Sequence, residues 1–540
     1  MRTSIGIYGI PDDGSRFSEK GNTHDHGICS VAGGRVRHCI QLERYTGRKH
    51  DNRMPEYLSA LLGGIAPEDG DYRLLSVNSF LGSGLESADG EVSVSSRDLE
   101  VGKVMASTDA VVRGERVEAR IVCHEFAHIA SCLPFTGDFE EGSLLVHIDG
   151  GASDSASSVW TWEAGRPVLR KCSWDELKAA ANMFNVNPLA QAILGLGPED
   201  HLSMPGKLMG YASWGRSDPA IIRWMSDNGW FFGWSQEELL REVNGFFGTS
   251  KERFDTKDPD LMDIAASMQE AFEEIVTSFM KEARSAYGSD VLYYSGGAAL
   301  NINENHRIKE ECGFRKVFIP PCCSDSGLAL GAAAYADYLD NGPLEHHAPF
   351  LDDSLIMGKE ARERSLAGAE GSIASGEAVG VCAGRGEIGP RALGHRSILA
   401  RADDIALRRR VSEEMKGREW YRPVAPVMTD DVAAEVLEGY DPDSELCRYM
   451  LDRFSVKEAY RDGLKGVMHK DGTVRAQVVS KDDPGCRELY GLLVRLRRDH
   501  GIIALIQTSF NEHGRPMVQT ASEAEESGRK MGLSKVICDD

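Results

Sequence analysis

The stretch Cys123-His124-Glu125-Phe126-Ala127-His128-Ile129-Ala130-Ser131 and the later run Leu144-Leu145-Val146-His147-Ile148-Asp149-Gly150-Gly151 organise the chain. On a helix, His124 and His128 share a face, and two imidazoles so placed reach one divalent metal ion. Leu144-Leu145-Val146 reads as a buried strand, and Asp149 at its tip offers a third, harder ligand. Taken literally, the first stretch is also the H-E-x-x-H pattern of zinc proteases. The extended form of that motif fails, because Ser131 and Pro134 stand where a Gly and a third His belong. A downstream ligand such as Glu140 or Glu141 keeps the short form open. The plainest alternative is a histidine pair in a structural core helix.

Outward from this stretch, the pattern alternates strands with helices. Ile5 to Ile10 reads as a buried strand; Ile28 to Val31 and Val36 to Leu42 read as a hairpin turning at Gly33-Gly34. Leu261 to Tyr287 has helical apolar spacing and stops at Gly288. Val291 to Tyr294 is a strand running into Ser295-Gly296-Gly297, a turn at which backbone can approach a nucleotide closely. Val317 to Ile319 delivers Ser324-Asp325-Ser326-Gly327 to the start of an Ala/Gly-rich helix ending near Tyr335. A hairpin, helices and a second, Gly-rich strand set suit an α/β nucleotide fold of actin-like or sugar-kinase-like type. Residues 174–254 read as an insertion, and its aromatics Trp214, Trp224, Trp230, Phe231, Phe232 and Trp234 read as core rather than as an acceptor pocket. Residues 341–353, polar and holding His346-His347, read as a solvated linker between a first domain, 1–340, and a second, 354–540.

Beyond the linker the charge changes. The chain carries a formal net charge of -23, yet from Arg385 to Arg422 ten basic residues stand against six acidic ones. Guanidinium forks suit phosphate and carboxylate oxygens, so this stretch reads as a site for a small, multiply charged anion. Arg408-Arg409-Arg410 read instead as helix ion pairs. The strand ends at Arg475 to Val478 and at Gln507-Thr508-Ser509 can complete an anion cradle. The overall negative charge argues against nucleic acid. The 12 cysteines show no paired C-x-x-C spacing, which suits reduced thiols in the cytoplasm. No signal peptide or membrane-length apolar run is found.

Together these pieces resemble the O-carbamoyltransferases of nodulation-factor and antibiotic pathways. The resemblance rests on Thr23-His24-Asp25, Glu43-Arg44 with Arg48-Lys49-His50-Asp51, the His124/His128 helix, Asp149-Gly150, Gly206 to Gly210, Ser295-Gly296-Gly297 with Asn301, Asp325 to Ala333, Gly384 to Leu399, Arg418 to Pro423 and Thr508 to Asn511. It implies an N-terminal Kae1-like, actin-like ATPase domain followed by a C-terminal YrdC-like α/β domain. By resemblance, His124, His128, Asp149 and Asp325 hold a divalent metal, iron before magnesium, manganese or zinc. Gly150, Gly151, Gly296, Gly297 and Asn301 face ATP. Arg391, Lys416, Arg422, Arg475, Gln507 and Ser509 bind carbamoyl phosphate. His24 serves as a base and Lys49 stabilises developing negative charge. The implied reaction passes through carbamoyl adenylate to a hydroxyl of a small natural-product or sugar acceptor, with no nucleic acid or membrane partner and with a homodimer as a compatible assembly. The chain departs from the family at Glu125, where a second His is usual, at Gln507, where Asn is usual, and in a longer stretch between Ile10 and Asn22. A threonylcarbamoyl-type tRNA-modifying enzyme shares both domain types, and a non-enzymatic anion sensor would use the arginines alone.

Overall fold

A computed structural model describes residues 2–12, 23–68, 70–353 and 365–538. The lengthened stretch before Asn22 therefore lies largely outside the described residues. The first half is built on two mixed sheets with one topology. In the first, β1 (Thr3–Tyr8), β2 (Gly27–Ala32), β3 (Arg35–Gln41), β4 (Tyr72–Val77) and β5 (Glu115–Val122) run in the spatial order β3-β2-β1-β4-β5. Three further antiparallel strands extend its edge beyond β5. The second sheet holds β6 (Leu144–Ile148), β7 (Ser157–Glu163), β8 (Arg166–Ser173), β9 (Val291–Ser295) and β10 (Lys316–Phe318) in the order β8-β7-β6-β9-β10. In both, the first strand pairs antiparallel with the second and parallel with the fourth. This doubled arrangement is the actin-like α/β fold expected of the half. Strands β1, β2, β6 and β9 are buried along their whole length, which explains their near-continuous apolar sequences.

Four helices position the chemistry. They are α1 (His124–Ala130), α2 (Pro259–Tyr287), α3 (Ile302–Glu311) and α4 (Leu328–Asn341). Small residues let α4 lie close to its neighbours: a Cβ at Gly331 would sit 1.9 Å from the Ala127 carbonyl oxygen, and one at Gly6 would sit 2.0 Å from that of Ala329. Helix α2 begins with Asp258 capping the Asp260 N–H and ends at Gly288, whose φ is 65°. The helices of the 174–254 segment pack on α2, and Trp224 and Phe231 are buried there as core. Trp214 behaves differently: its ring meets Trp420 of the second half, centroids 4.6 Å apart.

The second half has a six-stranded mixed sheet. Its strands are β11 (Val379–Cys382), β12 (Arg396–Arg401), β13 (Ala425–Thr429), β14 (Gln477–Val479), β15 (Leu505–Ser509) and β16 (Lys535–Cys538), in the order β14-β13-β15-β12-β11-β16. The α/β expectation holds here as well. Residues 342–353 are not a solvated linker. Leu344, Phe350 and Leu351 are buried, the Leu344 and His347 N–H groups bond the Gly137 and Pro134 carbonyls, and His347 Nε2 accepts from the Val36 N–H at 3.2 Å. The polar composition misled because these polar groups are satisfied by protein rather than water.

The halves interlock. Gly389 (φ 91°) presses so near Pro321 that a Cβ would lie 2.3 Å from the proline carbonyl oxygen. Arg44, fully buried, donates to the Gly389 carbonyl at 3.1 Å, and Gln41 accepts from the Gly389 N–H at 3.1 Å. On the far side of the contact, buried Asp452 takes bonds from His306 at 2.9 Å and Lys309 at 2.6 Å on α3. Gly331→Val drives two methyl groups into α1, so it should lower stability by about 2 kcal/mol or more, read as a shifted midpoint in chemical denaturation. An unchanged midpoint would contradict the close α1–α4 packing.

Candidate metal centre and anion site

His124 and His128 leave the same face of α1 with their Nε2 atoms 3.2 Å apart. His124 Nδ1 lies 3.1 Å from the Asn78 carbonyl oxygen and His128 Nδ1 lies 3.0 Å from that of Cys323. A carbonyl only accepts, so each Nδ1 carries the proton and each Nε2 offers its lone pair. Two opposed lone pairs at this distance repel unless a cation sits between them. Asp325 Oδ1 lies 3.4 Å from His128 Nε2 and 3.9 Å from His124 Nε2, and Asp149 Oδ2 lies 3.6 Å from His128 Nε2. Two imidazoles and two carboxylates form a donor set that fits a first-row divalent ion. Burial lowers the His124 pKa, with His128 adding to the effect, which keeps it neutral and ready to ligate.

The backbone brings the carboxylates in. Asp149 follows β6, and its carboxylate takes the Gly150 and Gly297 N–H bonds. Gly296 (φ 103°) passes so close to β6 that a Cβ would lie 2.2 Å from the Ile148 carbonyl oxygen. Asp325 opens the turn before α4 and accepts from the Tyr8 hydroxyl at 3.0 Å. Glu125 is turned away: its Oε1 accepts from the Asp154 and Ser155 N–H groups at 2.7 and 3.0 Å, and its Oε2 from the Cys123 thiol at 3.1 Å. It is therefore not the free base that an H-E-x-x-H protease needs.

Beside the metal ligands, Asp25 bridges two imidazoles, accepting from Nδ1 of His24 and of His50, both at 2.9 Å. Asp25 and His50 both have left-handed backbones, φ 54° and 55°, and strain of this kind collects at functional sites. His24 Nε2 lies 3.9 Å from Asp325 Oδ2. Burial opposes charge on His24, but Asp325 and Asp25 outweigh it and lift the pKa to about 10. A cation beside Asp325 would offset that carboxylate and bring His24 back toward the range in which it takes up a proton near neutral pH. Lys49 has its pKa lowered by partial desolvation and by Arg422 and Arg418, with Glu43 and Asp25 opposing.

In the second half, the cations converge with little to neutralise them. Arg475 is driven well below the usual guanidinium range by burial and by Arg391, Arg418 and Arg422. Burial and Arg422 bring Arg418 down to about 9. Burial, then Arg418, Arg422 and Lys49, push Lys416 far down. Among the described residues, the carboxylate ion-paired to this set is Glu419, which Arg422 meets at 3.5 Å and Lys207 at 2.8 Å. Arg391 reaches across the contact, donating to the Leu300 carbonyl at 3.4 Å, and Arg418 donates to the Ser509 hydroxyl at 3.4 Å. Lys416 donates to the Asn511 carbonyl and side-chain oxygens, each at 2.8 Å. Like charges gathered where water reaches them only in part favour a compact anion.

Comparison with known proteins follows from this geometry. Family profiles described as carbamoyltransferase N-terminus and carbamoyltransferase C-terminus match residues 101–334 and 370–540. Nodulation protein U of Bradyrhizobium diazoefficiens is 31% identical over 429 residues, covering 71% of this chain and 74% of that one. The chain belongs to the carbamoyltransferase family. Nodulation protein U of Sinorhizobium fredii is 33% identical over 314 residues, covering 56% of this chain, and the chain spans only 54% of that relative's length. A crystal structure of full-length HypF in the phosphate- and nucleotide-bound form gives a TM-score of 0.33 at 13% identity, covering 64% of this chain and 56% of that one, too slight a likeness to carry an argument.

The carbamoyltransferase-family fold thus gathers His24, His124, His128, Asp149 and Asp325 at one place, and Arg391, Lys416, Arg422, Arg475 and Ser509 at another, with Lys49 subject to Asp25 and to Arg418 and Arg422. Two residues stand differently from expectation. Gln507 is buried behind the cations and donates to the Ala392 carbonyl at 2.8 Å, so it braces the Arg391 loop. Asn301 caps α3 and exchanges amide bonds with Gln269 at 3.0 and 3.2 Å, so its side chain is engaged within the protein. Sequence reading missed three participants. Arg418 lies within the basic stretch and joins the cations; His50 holds Asp25. His147 stacks on His128 with centroids 5.2 Å apart, and neither ring nitrogen has a hydrogen-bond partner among the described residues. Its signal was present: His147 precedes Asp149 by two on a strand, hence on the same face.

His124→Ala should release the bound metal, and elemental analysis should find the metal content fallen to background; an unchanged content would remove His124 from the ligand set. Arg475→Met relieves like-charge crowding, so the ligand-free protein should gain about 1 kcal/mol. Added phosphate should stabilise the parent protein more than the variant, because ligand raises stability in proportion to occupancy. Thermal melts with and without phosphate check both signs.

Proposed function

We propose that this protein is an ATP-dependent O-carbamoyltransferase. The observation carrying this reading is the crowd of half-buried cations around Arg391, Arg418 and Arg475, across the contact from the His124/His128/Asp149/Asp325 set. Carbamoyl phosphate matches the cation site in size and charge. The guanidinium groups hold its phosphate, and water cleaves the donor to carbamate and inorganic phosphate. Carbamate passes the Arg391–Leu300 contact into the first half. There its oxygen attacks the α-phosphorus of ATP, pyrophosphate leaves, and carbamoyl adenylate forms. A hydroxyl of a small acceptor then attacks the carbamoyl carbon, and AMP leaves.

A divalent ion at His124, His128, Asp149 and Asp325 would supply Lewis-acid stabilisation of phosphate and carbonyl oxygens. The chain's own groups do the positioning. The Gly296–Gly297 turn brings backbone against β6, leaving room for phosphate oxygens beside Asp149. His24, locked by Asp25, stands where the acceptor proton is lost. Lys49 lies between the two sites and balances charge on the migrating carbamate. The net charge of -23 favours a cationic, amino-bearing acceptor.

Incubated with ATP, carbamoyl phosphate and a panel of hydroxylated natural products, the protein should release AMP and pyrophosphate only when carbamoyl phosphate is present. One panel member should gain a carbamoyl group by mass. Arg391→Ala should lower this turnover by about a hundredfold or more while ATP still binds. AMP release that ignores carbamoyl phosphate would sink the reading.

A further inference from the structure

Arg408, read from sequence as a helix ion pair, does pair with Glu413, at 3.8 Å, and its side chain is only 19% exposed. Burial lowers its pKa, Glu413 offsetting this only in part. The side chain lines a pocket of about 300 Å³ at the contact between the halves, with Trp214, Tyr421, Arg422, His469 and Lys470 around it. No Asp or Glu lines this pocket among the described residues, in a chain of net charge -23. Tyr421 is 3% exposed, and its hydroxyl has no hydrogen-bond partner among the described residues. Arg408, Arg422 and Lys470 bring three cationic side chains to one pocket with no acid among its lining residues, which suits an oxyanion.

Arg422 joins this pocket to the donor cations. It lines the pocket, and its charge is felt by Arg391, Arg418, Lys416 and Arg475 on the other side. We infer that the pocket outside Arg422 is a second oxyanion site that receives the inorganic phosphate released when the donor is cleaved. The inference rests on the donor reading above. Donor cleavage leaves phosphate among cations that grip it as tightly as they gripped the donor. A neighbouring site sharing one of those cations lets the phosphate leave by transfer, without a separate escape from the whole cluster. Trp214, donating its indole N–H to the Tyr421 carbonyl at 3.2 Å, closes the pocket from the first half.

Equilibrium dialysis of labelled inorganic phosphate against the full chain tests this, with and without phosphonoacetamide, an unreactive analogue of carbamoyl phosphate. With the analogue filling the donor site, the parent protein should still bind phosphate. The doubly substituted Arg408→Gln, Lys470→Gln protein should bind that residual phosphate about tenfold more weakly or worse, while its affinity for the analogue is unchanged. The retained analogue affinity reports that the variant is folded. Absence of residual phosphate binding in the parent, or its persistence in the variant, overturns the second site. If the analogue binds neither protein, the donor reading fails; dialysis without it still reads the pocket, through loss of phosphate in the variant.

Discussion

Charge gathered where water reaches it only in part is the constraint on which this structure depends. It occurs twice, with opposite sign, on the two sides of one contact. In the first half, Asp149 and Asp325 close on two imidazole lone pairs. In the second, Arg391, Lys416, Arg418 and Arg475 crowd together. Each arrangement costs folding free energy and is repaid only by a ligand. Lys49 feels Arg418 and Arg422 of the second set, and Glu43 and Asp25 from its own half.

The contact between the halves turns two sites into one compartment. The loop carrying Arg391 is wound around the buried carboxylate of Glu387, which accepts from the Leu393, His395 and Arg396 N–H groups. Its tip at Gly389 is clamped by Gln41 and Arg44 and rests on Pro321, four residues before Asp325. Arg391 and Asp325 are thus fixed against one another through a few backbone atoms. Arg396 lies in the same basic stretch and has a different job: it is fully buried and donates to the Ala383 and Gly384 carbonyls.

Close backbone approach is the second recurring device. Gly331 lets α4 touch α1, Gly296 lets the turn after β9 touch β6, and Gly389 lets one half touch the other. Each contact sets a residue of the site: the His124/His128 helix, Asp149 and Arg391. The left-handed backbones at Asp25 and His50 do the same work with side chains that carry chemistry, and there the strain is held by the carboxylate bridging two rings.

The sequence by itself determined the elements and the chemistry each could offer. The apolar strands, the helix from Leu261 to Tyr287, the i, i+4 histidines and the excess of arginine over acid after Arg385 were all legible, because local periodicity and composition dictate them. It did not reveal direction or partnership. Tertiary structure alone turned Glu125 toward Ser155 and away from the imidazoles, and committed Asn301 to Gln269. It also put Gln507 behind the arginines and anchored a polar segment, 342–353, through its buried Leu344, Phe350 and Leu351. These outcomes depend on groups far apart in the chain meeting in space. A carboxylate or amide carries no local mark of which distant donor will claim it.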